Sequence, residues 1–399
     1  MMTNMFTDLG ALSVLLQVVF WAMALLLAYT YVGYPLCLLW RVRRGEQRRW
    51  RRRYGEPEVS ILVIVHNEAA QIERKIRNLL ELDYPKHKLE LVIASDASTD
   101  DTVAIAQSYA AQGIQVRSFP QHRGKPAVLN AVVPQLRGEI VVLMDVRQSV
   151  EPQALRELLA NFADPAVGAV SGELMLAEQG GSGAGVGFYW RYEKLLRQLE
   201  SRLDSTVGVT GAFYAVRRHL FQPIPAETLL DDVLIPMQVV RQGYRVAFEP
   251  LARAHDGLQL SASTEYRRKV RTIAGNFQLF HRHVWLLNPR VNRLWWQTVS
   301  HKLCRLLCPA ALLLVLLLNL ALLEHPLYQA LFIAQVLFYL AAILARFWPA
   351  LTGSRLFSVP YAFCLLNWCT VVGGYRFLRG TQQVTWAKAA PGEGSTTSQ

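Results

Sequence analysis

The run Val59-Ser60-Ile61-Leu62-Val63-Ile64-Val65, closed by His66-Asn67-Glu68, decides the fold. It is uncharged and rich in β-branched residues, and it predicts a strand. Working outward, Leu89–Ser95, Ile114–Phe119 and Glu139–Asp145 repeat the signature. Between them, Glu68–Leu82, Thr99–Gln112 and Lys125–Leu136 carry helical periodicity. Alternation of this kind predicts an α/β domain over residues 56–282, with a parallel sheet and helices on both faces.

Parallel sheets bind ligands at the carboxyl ends of their strands. There stand His66-Asn67-Glu68, Asp96 and Asp145. A lone carboxylate after a strand is most often a helix N-cap, and Asp96-Ala97-Ser98-Thr99 admits that reading. Polar residues converging from several strand ends point instead to a nucleotide site. The stretch Gly180–Gly187 (GGSGAGVG) predicts a mobile loop. It lacks the lysine, the threonine and the following helix cap of a P-loop, which excludes an ATPase of that type.

The flanks of this domain are different in kind. Leu9–Trp40 contains no Asp, Glu, Lys or Arg, more than the ~20 residues a helix needs to cross a bilayer. Leu306–Leu323, Pro326–Ala345 and Leu356–Tyr375 are also uncharged. The expectation is one transmembrane helix at 1–40, three transmembrane segments within 303–378, and a polar tail at 379–399. The composition agrees: 52% hydrophobic residues, 18% charged and a mean hydropathy of +0.17 exceed what a water-soluble core absorbs. A disordered chain is excluded.

Of the net charge of +12, +7 lies in Arg41–Arg53, which holds eight arginines and one glutamate. Directly after a span, such a run predicts a cytoplasmic location for all that follows it. It also predicts contact with anionic lipid rather than nucleic acid. The last span would leave the tail outside, unless one C-terminal segment is re-entrant. Trp285, Trp295 and Trp296 among Arg290, Arg293 and Lys302 predict an interfacial helix at 283–302, or the cytoplasmic end of a tilted span. The five cysteines, Cys37, Cys304, Cys308, Cys364 and Cys369, lie in apolar stretches and support neither a disulfide framework nor a zinc site.

An ordered series of motifs resembles the membrane-bound family 2 glycosyltransferases of GT-A fold, the group of cellulose, hyaluronan and poly-N-acetylglucosamine synthases. Val65-His66-Asn67-Glu68 is similar to the opening motif, which implies that Asn67 and Glu68 lie near base and ribose. Ser95-Asp96-Ala97-Ser98-Thr99-Asp100 resembles "DDGSTD" and implies a contact of Asp96 with uracil. Arg123-Gly124-Lys125 with Leu129-Asn130 resembles "RxGKxxALN", where the lysine approaches the diphosphate and Asn130 belongs to the nucleotide-sugar site. Taken alone, Lys125 reads first as an exposed lysine at a helix start.

Asp145-Val146-Arg147 stands where the family has Asp-x-Asp, the ligand of a divalent metal (Mg or Mn). Arg147 replaces the second carboxylate; it could neutralise the diphosphate, or pair with Asp145. Leu230-Asp231-Asp232 resembles the "TED" element, which implies Asp232 as catalytic base with Asp231 beside it. The other reading is a pair of N-cap aspartates before a helix Val233–Arg241. Arg268-Lys269-Val270-Arg271-Thr272 aligns with "QRxRW": Lys269 and Arg271 would clamp the diphosphate, and Thr272 occupies the acceptor-stacking tryptophan position. Gly208–Tyr214 resembles the acceptor-site strand, with Gly211 admitting a sugar; Phe188, Tyr189, Trp190 and Tyr192 could line its entrance or equally pack against the interface helices.

The resemblance implies an inverting transferase in a bacterial inner membrane. It would move sugar from a UDP-sugar to a glycan or polyprenyl-linked acceptor in surface polysaccharide synthesis, alone or within a synthesis complex. The rival reading is a catalytically weakened, nucleotide-binding scaffold or regulatory subunit, motivated by Arg147 and Thr272 and opposed by Asp96, Lys125, Asp145, Asp231 and Asp232.

Overall fold

A computed structural model of the protein describes residues 2–176, 184–257 and 262–382. One sheet holds β1 (Val59–Val65), β2 (Leu89–Asp96), β3 (Ile114–Phe119), β4 (Ile140–Met144), β5 (Ser149–Val150), β6 (Val167–Leu176), β7 (Phe213–Arg217) and β8 (Arg245–Asp256). Their spatial order is β3-β2-β1-β4-β7-β6-β8-β5. β1 pairs in parallel with β2 and β4, and β2 with β3, as the alternating pattern predicts. β7 departs from it, running antiparallel to both β4 and β6. The sheet is therefore mixed rather than parallel throughout. The chain enters β7 from the carboxyl end of β4, where the Asp145 N–H meets the Ala212 carbonyl at 3.2 Å, so β7 must run back along β4.

Alternation along β1 builds a core on each face. Ile61, Val63 and Val65 join Ile72, Ile76 and Leu79 of the helix Ala69–Leu80. Leu62 and Ile64 join Val128, Leu129 and Val132 of the helix Lys125–Val132. Each such side chain contributes roughly 1.5–3 kcal/mol on burial. The second helix stops four residues before the expected Leu136 because Pro134 has no N–H to continue it, and a 3₁₀ turn, Val133–Gln135, follows.

Among the described residues four helices are long and apolar enough to span a membrane: Ala11–Arg43, Trp295–Ala321, Pro326–Phe347 and Arg355–Leu378. Leu25, Leu313, Leu317 and Leu337 are exposed on them, a surface suited to lipid. The stretch 283–302 is a 3₁₀ turn at Val284–Leu287 and then a helix that runs from Trp295 into the second span. Of the expected glycine-rich loop, residues 180–183 lie outside the described residues, and 184–187 begin the helix Ala184–Leu203. Residues 383–399 of the tail also lie outside them.

The basic segment after the first span lies on the α/β domain. Arg48 pairs with Asp204 at 3.0 Å, Arg52 with Glu157 at 2.6 Å and Glu249 at 3.1 Å, and the Trp50 indole donates to Asn161 at 2.7 Å. Part of the arginine charge thus meets protein carboxylates. At the other end, the last span reaches the helix Ala262–Arg282 through two glycines. A Cβ on Gly373 would lie 2.8 Å from Ile273 Cγ2, and one on Gly374 would lie 3.2 Å from the Phe277 ring.

Candidate active site

The loops after β1 and β2 interlock. The Asn67 side-chain oxygen accepts the Thr99 N–H at 2.7 Å, the Asn67 N–H donates to Ser98 Oγ at 3.0 Å, and the Glu68 N–H donates to Thr102 Oγ1 at 2.8 Å. Asn67 and Ala97 hold left-handed backbone, φ 54° and 58°. An alanine there costs about 1–2 kcal/mol, so both turns are held by their surroundings.

Asp96 is buried and caps no helix of its own. One carboxylate oxygen accepts the Arg123 N–H at 2.8 Å; the other accepts the Gly124 N–H at 2.8 Å and meets His122 Nδ1 at 2.9 Å. It therefore holds the Arg-Gly-Lys turn, in which Gly124 takes φ 83°. His66 Nδ1 contacts the Asp96 carbonyl at 2.7 Å, and the His66 and His122 rings stack with centroids 4.0 Å apart. With Ile64, Val65, Gly124 and Lys125 these residues line a small pocket. Sequence reasoning missed His122; its place directly before Arg123-Gly124-Lys125 was the available signal.

That turn delivers Lys125 to the centre of the site. Its Nζ lies 3.0 Å from Asp231 Oδ2 and 3.4 Å from Asp145 Oδ1. Burial would lower the ammonium, but Asp231 and Asp145 hold it above the usual lysine range. Asn130, one turn further on, uses both ends of its amide on Ile224, donating to its carbonyl at 2.7 Å and accepting from its N–H at 3.0 Å. It thereby ties this helix to the 224 segment.

Asp231 and Asp232 open the helix Asp231–Arg241, whose N-cap is Leu230 with no side-chain cap. The aspartates are thus not caps. Burial and the neighbouring Asp231 push Asp232 up to about 6, against Lys125, Lys302 and Arg197. The Val209 N–H donates to the Asp232 carbonyl at 2.8 Å, and a Cβ on Gly211 would stand 3.2 Å from Asp232 Oδ2. Gly211 thus admits the Asp232 carboxylate itself. Gly275 plays a related part: a Cβ there would lie 2.6 Å from Leu230 Cγ, so the helix Ala262–Arg282 packs directly behind the two aspartates.

Arg147 does not pair with Asp145. Its Nη2 lies 2.5 Å from Asp256 Oδ2 at the end of β8, which also accepts from Gln148 Nε2 at 3.1 Å. Arg74 and Lys75 hold this loop from behind, donating to the carbonyls of Arg147 and Gln148 at 2.7 and 2.8 Å. Lys269 pairs with Glu265 at 3.2 Å and lies over the Tyr189 ring at 5.5 Å; Thr272 on the same helix is exposed, and Arg271 is partly buried.

Among the described residues no three His, Cys, Asp or Glu side chains group as metal ligands. At the Asp-x-Asp position Asp145 alone offers a carboxylate, since Arg147 occupies the second place. This suffices for the loose mode in which Mg²⁺ takes one or two carboxylates, substrate phosphates and water; it does not make a site that the protein closes by itself.

The Glycosyl transferase family 2 profile matches residues 60–224. The chain is 31% identical over 165 residues to the beta-monoglucosyldiacylglycerol synthase of Synechocystis sp., covering 40% of this chain and 33% of that one. It is 22% identical over 232 residues to the poly-beta-1,6-N-acetyl-D-glucosamine synthase of Staphylococcus aureus, covering 56% of each. The chain thus spans about a third to just over half of these relatives. In three dimensions it is similar to the mannosyltransferase PcManGT from Pyrobaculum calidifontis, solved with GDP-Man and Mn²⁺: TM-score 0.70, 22% identity, covering 91% of this chain and 99% of that one. The chain carries a family 2 glycosyltransferase domain of GT-A fold, joined to four helices able to span a membrane.

Proposed function

We propose that the protein is a membrane-anchored, inverting glycosyltransferase that moves a sugar from a UDP-sugar to a lipid-linked or polysaccharide acceptor at the cytoplasmic face of a bacterial inner membrane. The observation that carries this reading is Lys125 Nζ within 3.4 Å of both Asp145 and Asp231, with Asp232 next in the chain. A cation and a base of raised pKa then stand side by side.

The nucleobase lies against the surface of His66, His122 and the turn that Asp96 holds, and Lys125 faces the diphosphate, where negative charge grows as the sugar leaves. Asp145 would hold a divalent ion together with the diphosphate, and such an ion would neutralise part of that charge. Asp232 accepts the proton of the acceptor hydroxyl. The hydroxyl oxygen bonds to the anomeric carbon while the carbon–oxygen bond to the nucleotide breaks on the other side, inverting the centre. The helix Ala262–Arg282, packed on Leu230 and on the last span, fixes the aspartates relative to the bilayer where a lipid-anchored acceptor would lie. The relatives' printed products, a glucolipid and a β-linked glucosamine polymer, are consistent with an acceptor of either kind.

The test is nucleotide release by the purified protein against a panel of UDP-sugars and GDP-mannose, beside Asp232→Asn. The expected result is release with one UDP-sugar, lost in the variant while UDP binding persists. Full activity of Asp232→Asn would remove the base assignment, and release from GDP-mannose alone would replace the uridine reading.

A further inference from the structure

The helix Ala184–Leu203 carries Tyr189, Glu193 and Arg197 four residues apart, hence on one face. That face meets the start of the span Trp295–Ala321. His301 stands between Glu193 at 2.9 Å and Glu200 at 2.8 Å, Arg305 Nη1 donates to Glu193 at 2.9 Å, and the Tyr34 hydroxyl donates to Glu200 at 2.6 Å. Burial would raise the Glu193 carboxyl, yet Arg305, His301 and Lys302 hold it well below the ordinary carboxylate range. Both glutamates are therefore matched.

The positive groups are in surplus. Arg305 Nε and Nη2 are buried and have no hydrogen-bond partner. Lys302 makes no hydrogen bond or ion pair among the described residues. Buried N–H donors are ordinarily satisfied, and unmatched ones call for an explanation. The seam also has a direction. Arg197 donates to Thr210 Oγ1 at 2.6 Å, and Thr210 lies between Val209 and Gly211, the two residues in contact with Asp232. It thus leads from a membrane-spanning helix to the proposed base, on elements separate from the Lys125 turn.

Donors of this kind, fixed in a partly dry seam, match the acceptor oxygens of a phosphate. We propose that Arg305 and Lys302, with Arg197 at the inner end, bind the phosphate of a lipid acceptor and seat that lipid beside the site of Asp232. The identification of Asp232 as base rests on the transferase reading; the binding of lipid phosphate does not. Two lipids carry this group, a glycerophospholipid and a polyprenyl phosphate, whereas diacylglycerol lacks it.

The test uses the full chain in neutral detergent, mixed separately with phosphatidic acid, a polyprenyl phosphate and diacylglycerol, with bound lipid read by native mass spectrometry. The expected result is retention of a phosphate-bearing lipid and not of diacylglycerol. Lys302→Gln, which breaks no hydrogen bond or close ion pair among the described residues, and Arg305→Lys should each weaken retention about tenfold, the loss of one charge-assisted contact, with UDP affinity unchanged. Arg49→Gln in the basic segment, the control for general attraction to anionic lipid, should leave it unchanged. Retention of phosphatidic acid alone assigns a glycerophospholipid, and of the polyprenyl phosphate alone the other source. Equal retention of diacylglycerol, or no effect of either variant, would overturn the proposal. Phosphate-selective binding with no sugar transfer from any donor would sink the transferase reading and leave this site standing.

Discussion

The backbone carbonyl of Asp232 accepts the Val209 N–H at 2.8 Å, and residue 236 is the reason that carbonyl is available. In a regular helix the N–H of residue 236 would donate to it. Pro236 lies inside the helix Asp231–Arg241 and has no N–H. The orphaned acceptor turns to the 208–211 segment, binding the proposed base to the wall of its own site. Pro236→Ala would supply the missing donor and relax the helix away from Val209. The expected outcome is a fall in kcat of several-fold with the fold intact, since misplacement of a reacting group by a fraction of an ångström is costly. Steady-state kinetics beside a thermal melt check it.

Gly211 makes the same point from the strand side. A methyl group there would sit 3.2 Å from Asp232 Oδ2, closer than ordinary van der Waals contact, and the carboxylate must yield. Gly211→Ala should lower kcat about tenfold while the Kd for UDP, read by calorimetry, is unchanged. If KM for the acceptor moved alone, the glycine would instead be serving the sugar.

Burial and Asp231 push Asp232 up to about 6. A base must be ionised to accept a proton, so kcat should fall about tenfold per pH unit below that value and level off above it. Asp231→Asn removes one of the charges that raise it, and the acid limb should move to lower pH. A limb that stays in place in this variant would mean that another group sets it.

Much of this was legible in the chain because it is local. The seven-residue apolar run of β1 and the four apolar spans follow from periodicity; the end of the helix Lys125–Val132 does not, since the periodic pattern continues past Pro134 to Leu136. The motif order located Lys125, Asp145, Asp231 and Asp232, and the structure brings all four together. What periodicity does not carry is pairing at a distance. Arg147 answers Asp256, 109 residues away, and Asn130 answers Ile224, 94 residues away. The antiparallel β7 is of the same kind, since its direction depends on where the chain re-enters the sheet. The surplus donors of Arg305 become visible only once Glu193 and Glu200 are seen to be shared with His301.

Lys75 supplies a test of the loop that carries Asp145. It is 1% exposed and donates to the Gln148 carbonyl at 2.8 Å. Burial pushes its ammonium down to about 7, against the pull of Asp145, from 10.5. Between those values the unfolded chain holds a proton that the folded chain has released, so stability rises with pH across the window. Below about 7 both states are charged and the full cost of burial is felt. The contribution is at most about 1.4 kcal/mol per pH unit. Lys75→Met should flatten the rise in melting temperature from pH 7 to 10; parallel curves for the two proteins would mean that the ammonium is not the titrating group.

The single carboxylate at the Asp-x-Asp position leads to a prediction about metal. With Arg147 bound to Asp256, a divalent ion would have Asp145, the diphosphate and water as its partners, and Lys125 would attract the same diphosphate without it. Two independent attractions act on one ligand, so removing the ion should weaken UDP binding without abolishing it. EDTA is expected to raise the Kd for UDP about tenfold, the scale of one charge-assisted contact. Asp145→Asn should raise it by a similar factor, and EDTA should then add nothing, because both changes remove the same interaction. Lys125→Met should add to either. Calorimetry of UDP binding with and without Mg²⁺ reads all of these combinations. Additive losses from EDTA and Asp145→Asn would show that the ion is held elsewhere, and a Kd indifferent to EDTA in the wild type would show that the basic side chains alone hold the diphosphate.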